Sequence, residues 1–381
     1  MRVFLAGTSF RPSYGGPAFS VSRLATALSE SGVNVLLWAP DGSAETTNLL
    51  PATTLIRRLG GSATEALASS RPIDVLHDNG IWLPHNHAIA KLAASLCISR
   101  LVSIRGMLEP WALNHKRWKK RAAWLLYQKR DLKLACLHHA TAETESENIL
   151  RLRLGVPVSV VPNGVDIPQL EYNSRKCELA NTNGSTRKTA LFLSRIHPKK
   201  GLPLLIEAWA RVRPVGWNLK IAGPDAGGHR AELERVVSVS GLSDVVSFLG
   251  QIEAQEKWSV YSSADLFILP THSENFGMAI AEALAHGVPV LTTTGAPWPM
   301  LEAVGCGWQV ETTPAGLIEG VRRATSCDVR ILKAMGRRGR EFVKTEFGWD
   351  QVAQKIIGLY EAILGASNNR TRPTDDFYAR Y

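Results

Sequence analysis

Short β-branched or Leu-rich runs alternate with helical patterns along this chain, and that alternation leaves few folds open. A strand–helix–strand repeat sets parallel strands side by side, with helices covering both faces of the sheet. The runs predict strands near 2–6, 33–38, 74–77, 101–104, 137–141 and 158–161. They resume near 189–193, 218–222, 245–249, 265–269 and 288–293. Val21, Leu24, Ala25 and Leu28 stand at i, i+3, i+4 and i+7. With Pro17 at the start and Gly32 past the end, they predict a helix near 17–30. Thr144-Glu145-Ser146-Glu147 has a capping-box pattern and predicts another helix opening there.

The alternation breaks once. Residues 168–187 are polar and rich in Asn, Ser, Thr and Arg, which reads as a linker. At 381 residues the chain is too long for one ordinary core. The expectation is an α/β protein of two Rossmann-like doubly wound domains: an N-terminal domain over 1–167 and a C-terminal domain over 188–348. Val352, Ile356, Leu359, Tyr360 and Ile363 mark a final helix over 349–366. The polar stretch 367–381 is expected to be a disordered tail, with too little apolar surface to offset ordering.

Composition narrows the function classes. Apolar residues at 45% and charged residues at 20% exclude a fibrous or wholly disordered chain. Five cysteines without a C-x-x-C pair argue against a disulfide framework or structural zinc and fit a reducing compartment. Met1–Gly7 is an apolar run too short for a signal sequence and reads as the first strand. No stretch of 18 apolar residues is present to span a bilayer. A cytoplasmic protein, peripheral on the membrane at most, is the expectation.

The formal charge of +10 favours anionic partners. Its densest part is Lys116, Arg117, Lys119, Lys120 and Arg121, flanked by Trp111, Trp118, Trp124 and Tyr127. Segment 111–133 admits two readings. In one, Trp118, Ala122 and Leu125 face the core and the lysines face water. In the other, cations with tryptophans at the rim attach the N-terminal domain to an anionic membrane surface. A nucleic-acid partner would call for a groove-entering motif or a stacking sheet, and the sequence contains neither.

The most informative stretch runs from Leu269-Pro270 through Glu274-Asn275-Phe276-Gly277 and Glu282 to Gly287-Val288-Pro289-Val290. A buried strand ends at Pro270, and a helix is predicted from Phe276 to His286. Carboxyl ends of parallel strands face the ligand crevice, and a helix start there offers free N–H groups to a phosphate. Gly277 has no side chain to keep a diphosphate from the backbone. Glu274 before the helix and Glu282 two turns into it set two carboxylates at different depths along one ligand.

This pattern resembles the signature of the retaining family-4 (group 1) glycosyltransferases of the GT-B fold. The likeness extends to Arg195…Lys200-Gly201, to Ile221-Ala222-Gly223-Pro224 and to Val161-Pro162-Asn163-Gly164-Val165-Asp166. It also covers the helix after Phe347-Gly348-Trp349. The resemblance implies two domains facing across a cleft, with the last helix crossing back to the first domain. It implies a metal-independent enzyme without a cofactor. Such an enzyme moves a sugar from a nucleotide-diphospho-sugar to a glycan or polyprenyl-linked acceptor, in cell-surface polysaccharide synthesis.

Residue by residue, the resemblance assigns the donor diphosphate to Arg195 and Lys200, two cations aimed where a leaving group gains charge. It assigns sugar hydroxyls to Glu274 and the ribose to Glu282. Asn275, Phe276 and Gly277 join the donor-binding set through the motif's backbone, and Gly15-Gly16 match a glycine pair that admits the donor. Arg105 stands where many members carry a histidine, and cannot act as a base at neutral pH. It is read either as a donor contact or as a structural ion pair. His77, His85, His87 and His115 are alternatives without a motif, and Trp298 either stacks on a ring or packs. The competing functions are a nucleotide-sugar epimerase of the same fold and a non-catalytic sugar-nucleotide-binding protein; a phosphorylase would need a pyridoxal-binding lysine, which no segment suggests.

Overall fold

The structure is a computed structural model that describes residues 1–51, 55–114, 116–169, 187–225, 227–253 and 256–368. The chain divides into two units, Met1–Gly164 together with Trp349 onward, and Val165–Gly348. Most of the 168–187 linker, nearly all of the 367–381 tail and His115 lie outside the described residues.

The first unit is built on a seven-stranded sheet in the order β3-β2-β1-β4-β5-β6-β7. Its strands are β1 Arg2–Ala6, β2 Asn34–Trp38, β3 Ile56–Leu59, β4 Val75–Asn79, β5 Ser99–Ser103, β6 Leu137–Ala140 and β7 Val158–Val160. Val3 lies beside Val35 on one flank and Val75 on the other, all parallel. The order turns back between β1 and β4, a switch point where loops diverge and leave an opening. The second unit has a six-stranded sheet in the order β10-β9-β8-β11-β12-β13. These strands are β8 Lys188–Leu193, β9 Trp217–Ala222, β10 Val246–Gly250, β11 Leu266–Leu269, β12 Val290–Thr293 and β13 Gly307–Val310. Its switch point lies between β8 and β11.

The strands at the two switch points, β1, β8 and β11, are near-continuous apolar runs, whereas β4, β5 and β6 bury His77, Asp78, Asn79, Arg100, Ser103, His138 and His139. Sequence periodicity overlooked β3 and β13. β3 reads Ile56-Arg57-Arg58-Leu59, with Arg57 exposed, and β13 opens on a glycine; each is an edge strand with one neighbour and a shorter apolar signature. The first unit closes at Gly164 rather than at 167, because Val165 already bridges Gly348 in the second unit.

The helix expected from a capping box at Thr144 opens instead at Glu143, after an extended Ala142 that gives no side-chain cap. Glu145 is why. Its buried carboxylate accepts from Thr141 N–H at 2.7 Å, from Thr141 Oγ1 at 3.0 Å and from Gly106 N–H, so it ties two loops rather than capping a helix.

The terminal helix Trp349–Asn368 packs on the first unit through Val352, Ala353, Ile356, Leu359, Tyr360 and Ile363, all buried with β1, β2 and the helix Gly16–Glu30. A relay of hydrogen bonds keys it to the sheet. His139 Nε2 faces the Val161 carbonyl at 2.7 Å, and a carbonyl only accepts, so Nε2 carries the proton. Ser103 Oγ then donates to His139 Nδ1 at 2.6 Å, His77 Nε2 donates to Ser103 at 2.6 Å, and Tyr360 O–H donates to His77 Nδ1 at 2.7 Å. With both imidazoles neutral, every polar atom in the line has its partner.

Candidate functional site

The predicted site residues of the second unit gather at its switch point. β8 ends at Leu193 and leads through Arg195 to the single turn Pro198–Lys200; β11 ends at Leu269 and leads to Glu274. The two loops are laced together: His272 N–H donates to Lys199 O at 2.8 Å, and Thr271 Oγ1 reaches the same carbonyl at 3.2 Å. A Cβ at Gly201, where φ is +70°, would run into the Pro270 carbonyl, so only glycine allows the loops to close to this distance. That lacing brings Lys200 Nζ against Glu274 Oε1, with each side chain only 13% exposed.

Arg195 is exposed at the mouth of the same loop. His197 registers the cationic character of the place: its pKa is lowered, first by burial and then by Arg195, His229 and Lys200 around it. An anion entering here meets positive potential from several sides.

The helix after β11 runs Met278–Ala285, starting two residues in from the expected Phe276. Gly277 precedes it in the left-handed region at φ +87°, and a Cβ there would sit 3.1 Å from Trp298 Nε1. Trp298 is 1% exposed and donates from Nε1 to the Phe276 carbonyl at 2.5 Å, with both rings packed on Phe347. Trp298 therefore packs, and in doing so occupies the Phe276 carbonyl. Glu274 N–H is anchored to Gly295 O at 2.7 Å.

Glu282 stands inside the helix with its carboxylate shared by two residues that sequence reasoning missed. Lys257 Nζ donates to Oε1 at 2.5 Å and Tyr261 O–H donates to Oε2 at 2.9 Å. Burial, and then Glu282, push the Tyr261 phenol well above its ordinary pKa, so it remains a donor. Both sit on the helix Lys257–Ser262, and no local spacing links that segment to Glu282.

In the first unit, Gly15 and Gly16 end the loop after β1 and open the helix Gly16–Glu30, and a Cβ on either would meet nothing within 4 Å. Arg105, at φ +53°, is committed to neutral oxygens: Asn79 Oδ1 at 2.7 and 3.0 Å, Ser20 Oγ at 3.2 Å and Asn163 Oδ1 at 3.2 Å. Its pKa falls to about 10, chiefly through burial. Among the described residues its bonding partners are these neutral side chains from three segments, with Glu145 acting on it only through space. Arg105 lines a small recess at the switch point, with Thr8, Ser9, Tyr14, Asn79 and Met107. Of the alternative histidines, His77 lies buried in the relay and His87 pairs with Asp131 at 2.8 Å. His85 has its pKa lowered by burial.

Two family models cover these units. "Glycosyltransferase Family 4" matches residues 14–169 and "Glycosyl transferases group 1" matches residues 178–342. Among curated proteins, the lipopolysaccharide core biosynthesis mannosyltransferase LpsB of Rhizobium meliloti is 27% identical over 55% of this chain and 62% of its own length. The D-inositol 3-phosphate glycosyltransferase of Mycolicibacterium smegmatis is 33% identical over 54% of this chain and 48% of its own. The chain thus spans about half to three-fifths of such relatives. Among solved structures, sucrose-phosphate synthase from Thermosynechococcus elongatus superposes with a TM-score of 0.77 at 19% identity, covering 96% of this chain and 100% of that one. Anabaena HepE, solved with UDP and glucose, gives 0.70 at 17% identity over 95% and 100%. These likenesses show the GT-B fold. With one model on each unit and the signature residues assembled at the second switch point, the chain belongs to the group 1, family 4 glycosyltransferases.

Proposed function

We propose that this chain transfers a sugar from a nucleotide-diphospho-sugar to a glycan or lipid-linked acceptor, with retention of configuration, in the building of a cell-surface polysaccharide. The observation that carries the reading is the convergence of Lys200, Glu274 and the cationic loop of Arg195 at one switch point, with Glu282 held one helix further in. It is also supported by the mannosyltransferase activity named for LpsB and by the UDP and glucose bound to HepE.

In this reading the donor diphosphate lies against Arg195 and Lys200. As the glycosidic bond breaks, charge develops on the diphosphate, and two cations, the partly buried Lys200 and the exposed Arg195, stabilise it without a metal. Glu274 bonds hydroxyls of the transferred sugar. Glu282, oriented by Lys257 and Tyr261, bonds the ribose diol. No carboxylate is asked to form a covalent intermediate; the departing diphosphate takes the acceptor proton on the face it leaves. The acceptor is assigned to the first unit, at the pocket lined by Arg105 and Asn79.

Calorimetry with UDP- and GDP-sugars, followed by proton NMR of the product's anomeric signal, tests the proposal. Binding and a retained anomer are expected, and Glu274→Ala abolishes transfer in a folded protein. Undiminished turnover by that variant overturns the mechanism. Conversion of donor alone into an epimer, or binding with no turnover on any acceptor, overturns the activity.

A further inference from the structure

The segment 111–133 does not follow the first of its two sequence readings, in which Trp118, Ala122 and Leu125 face the core. It forms the helix Arg117–Ala123, a π-helical turn Trp124–Gln128 and the helix Lys129–Lys133 without interruption. Gln128, Asp131 and Leu132 are buried on its inner side. Trp118, Ala122 and Leu125, the apolar positions one would bury, face solvent instead. Trp118 is 77% exposed, Leu125 83% and Leu126 80%, and Trp111 nearby is exposed as well. The wider π turn sets Leu125 and Leu126 outward together while Gln128 points in, its Oε1 accepting Trp82 N–H at 2.7 Å.

Around this apolar tip every exposed ionised group from 116 to 133 is a cation: Lys116, Arg117, Lys119, Arg121, Lys129, Arg130 and Lys133. The segment's single acid, Asp131, is buried and pairs with His87. Arg117 and Arg121 lie over the Trp118 ring, 6.0 and 5.7 Å from its centre, and Lys120 lies over Trp82 at 5.6 Å.

We infer that this face docks on an anionic lipid bilayer, with Leu125, Leu126 and Trp118 entering the headgroup–acyl boundary and the surrounding cations lying at the phosphates. Charge complementarity and the apolar tip together select that occupant. Adjacent leucines so exposed gain nothing from water, and an amphipathic surface of this kind gains from an apolar phase bounded by anions. A nucleic-acid backbone would meet the cations but offer the leucines no apolar phase. Among the described residues no helix is long and apolar enough to cross a membrane. The inference is independent of the donor chemistry above.

The test is sedimentation of the full chain with vesicles of phosphatidylcholine alone or mixed equally with phosphatidylglycerol. Selective pelleting with the mixed vesicles is expected, lost at high salt as surface charge is screened. Neutralising one cation, as in Arg121→Gln, weakens binding by about fivefold. Leu125→Ser with Leu126→Ser weakens it roughly tenfold or more, with an unchanged circular dichroism spectrum because both positions are solvent-facing. Equal pelleting with both vesicle types, or full binding by the leucine variant, overturns the inference. So does a wild-type dimer in analytical ultracentrifugation that the leucine variant dissociates, which would make the face a contact between copies.

Discussion

Lys200 is held by Glu274, and in the proposed function a donor diphosphate competes with that carboxylate for the ammonium. The prediction is that Glu274→Gln binds nucleoside diphosphate more tightly than the wild type while losing transfer. The two side chains touch with little solvent around them. At a separation of roughly 3 Å and an effective dielectric near 20, their gross attraction is about 5 kcal/mol. Desolvation of both partners consumes much of that, leaving a net of roughly 1–3 kcal/mol for an incompletely buried pair. A diphosphate arriving at Lys200 works against this amount in the wild type and not in the glutamine variant. UDP affinity should therefore rise about tenfold, corresponding to roughly 1.4 kcal/mol. The sugar loses its carboxylate partner, and turnover should fall at least about a hundredfold. Calorimetric titration of UDP into both proteins, beside a radiolabelled-sugar transfer assay, reads the two effects separately. Equal or weaker UDP binding by the folded variant would refute the idea that Glu274 competes for Lys200.

Tyr261→Phe removes the 2.9 Å bond to Glu282 without changing shape; a loss of roughly threefold to tenfold in UDP affinity is expected by calorimetry, against no change in the binding of inorganic diphosphate. Stability should depend on pH through His138 and His139, whose pKa values burial lowers to about 4. Both are neutral when folded and protonate more readily when unfolded, so their contribution is complete above about pH 6.5 and is lost as pH falls towards about 4. Urea unfolding at pH 5 against pH 7 should show a loss of about 2 kcal/mol per histidine, and His139→Gln should flatten that dependence.

How far the sequence spoke depended on the scale of the signal. β1 and β8 were legible because Val3-Phe4-Leu5 and Leu191-Phe192-Leu193 are uninterrupted apolar runs, whereas β3 carries Arg57 and Arg58 between its only two apolar residues. Glu274, Glu282, Arg195 and Lys200 were found by spacing and by resemblance, and the second switch point brings their loops together. Lys257 and Tyr261 were not, because a side chain that orients a carboxylate from another helix leaves no local pattern. Arg105 could not be placed by its chemistry alone; its partners Ser20, Asn79 and Asn163 come from three separated segments. Trp118, Ala122 and Leu125 show the opposite failure. Helical periodicity states that three apolar residues share a face, and says nothing about whether that face has the protein or something else to lie against.

The terminal helix gives the molecule an order of assembly. Its buried residues supply one wall of the first unit's core, and Tyr360 closes the relay through His77, Ser103 and His139. A ribosome makes those residues only after the whole of the second unit. The amino-terminal half therefore waits, with a side of its core uncovered, while the half made after it can already be finished.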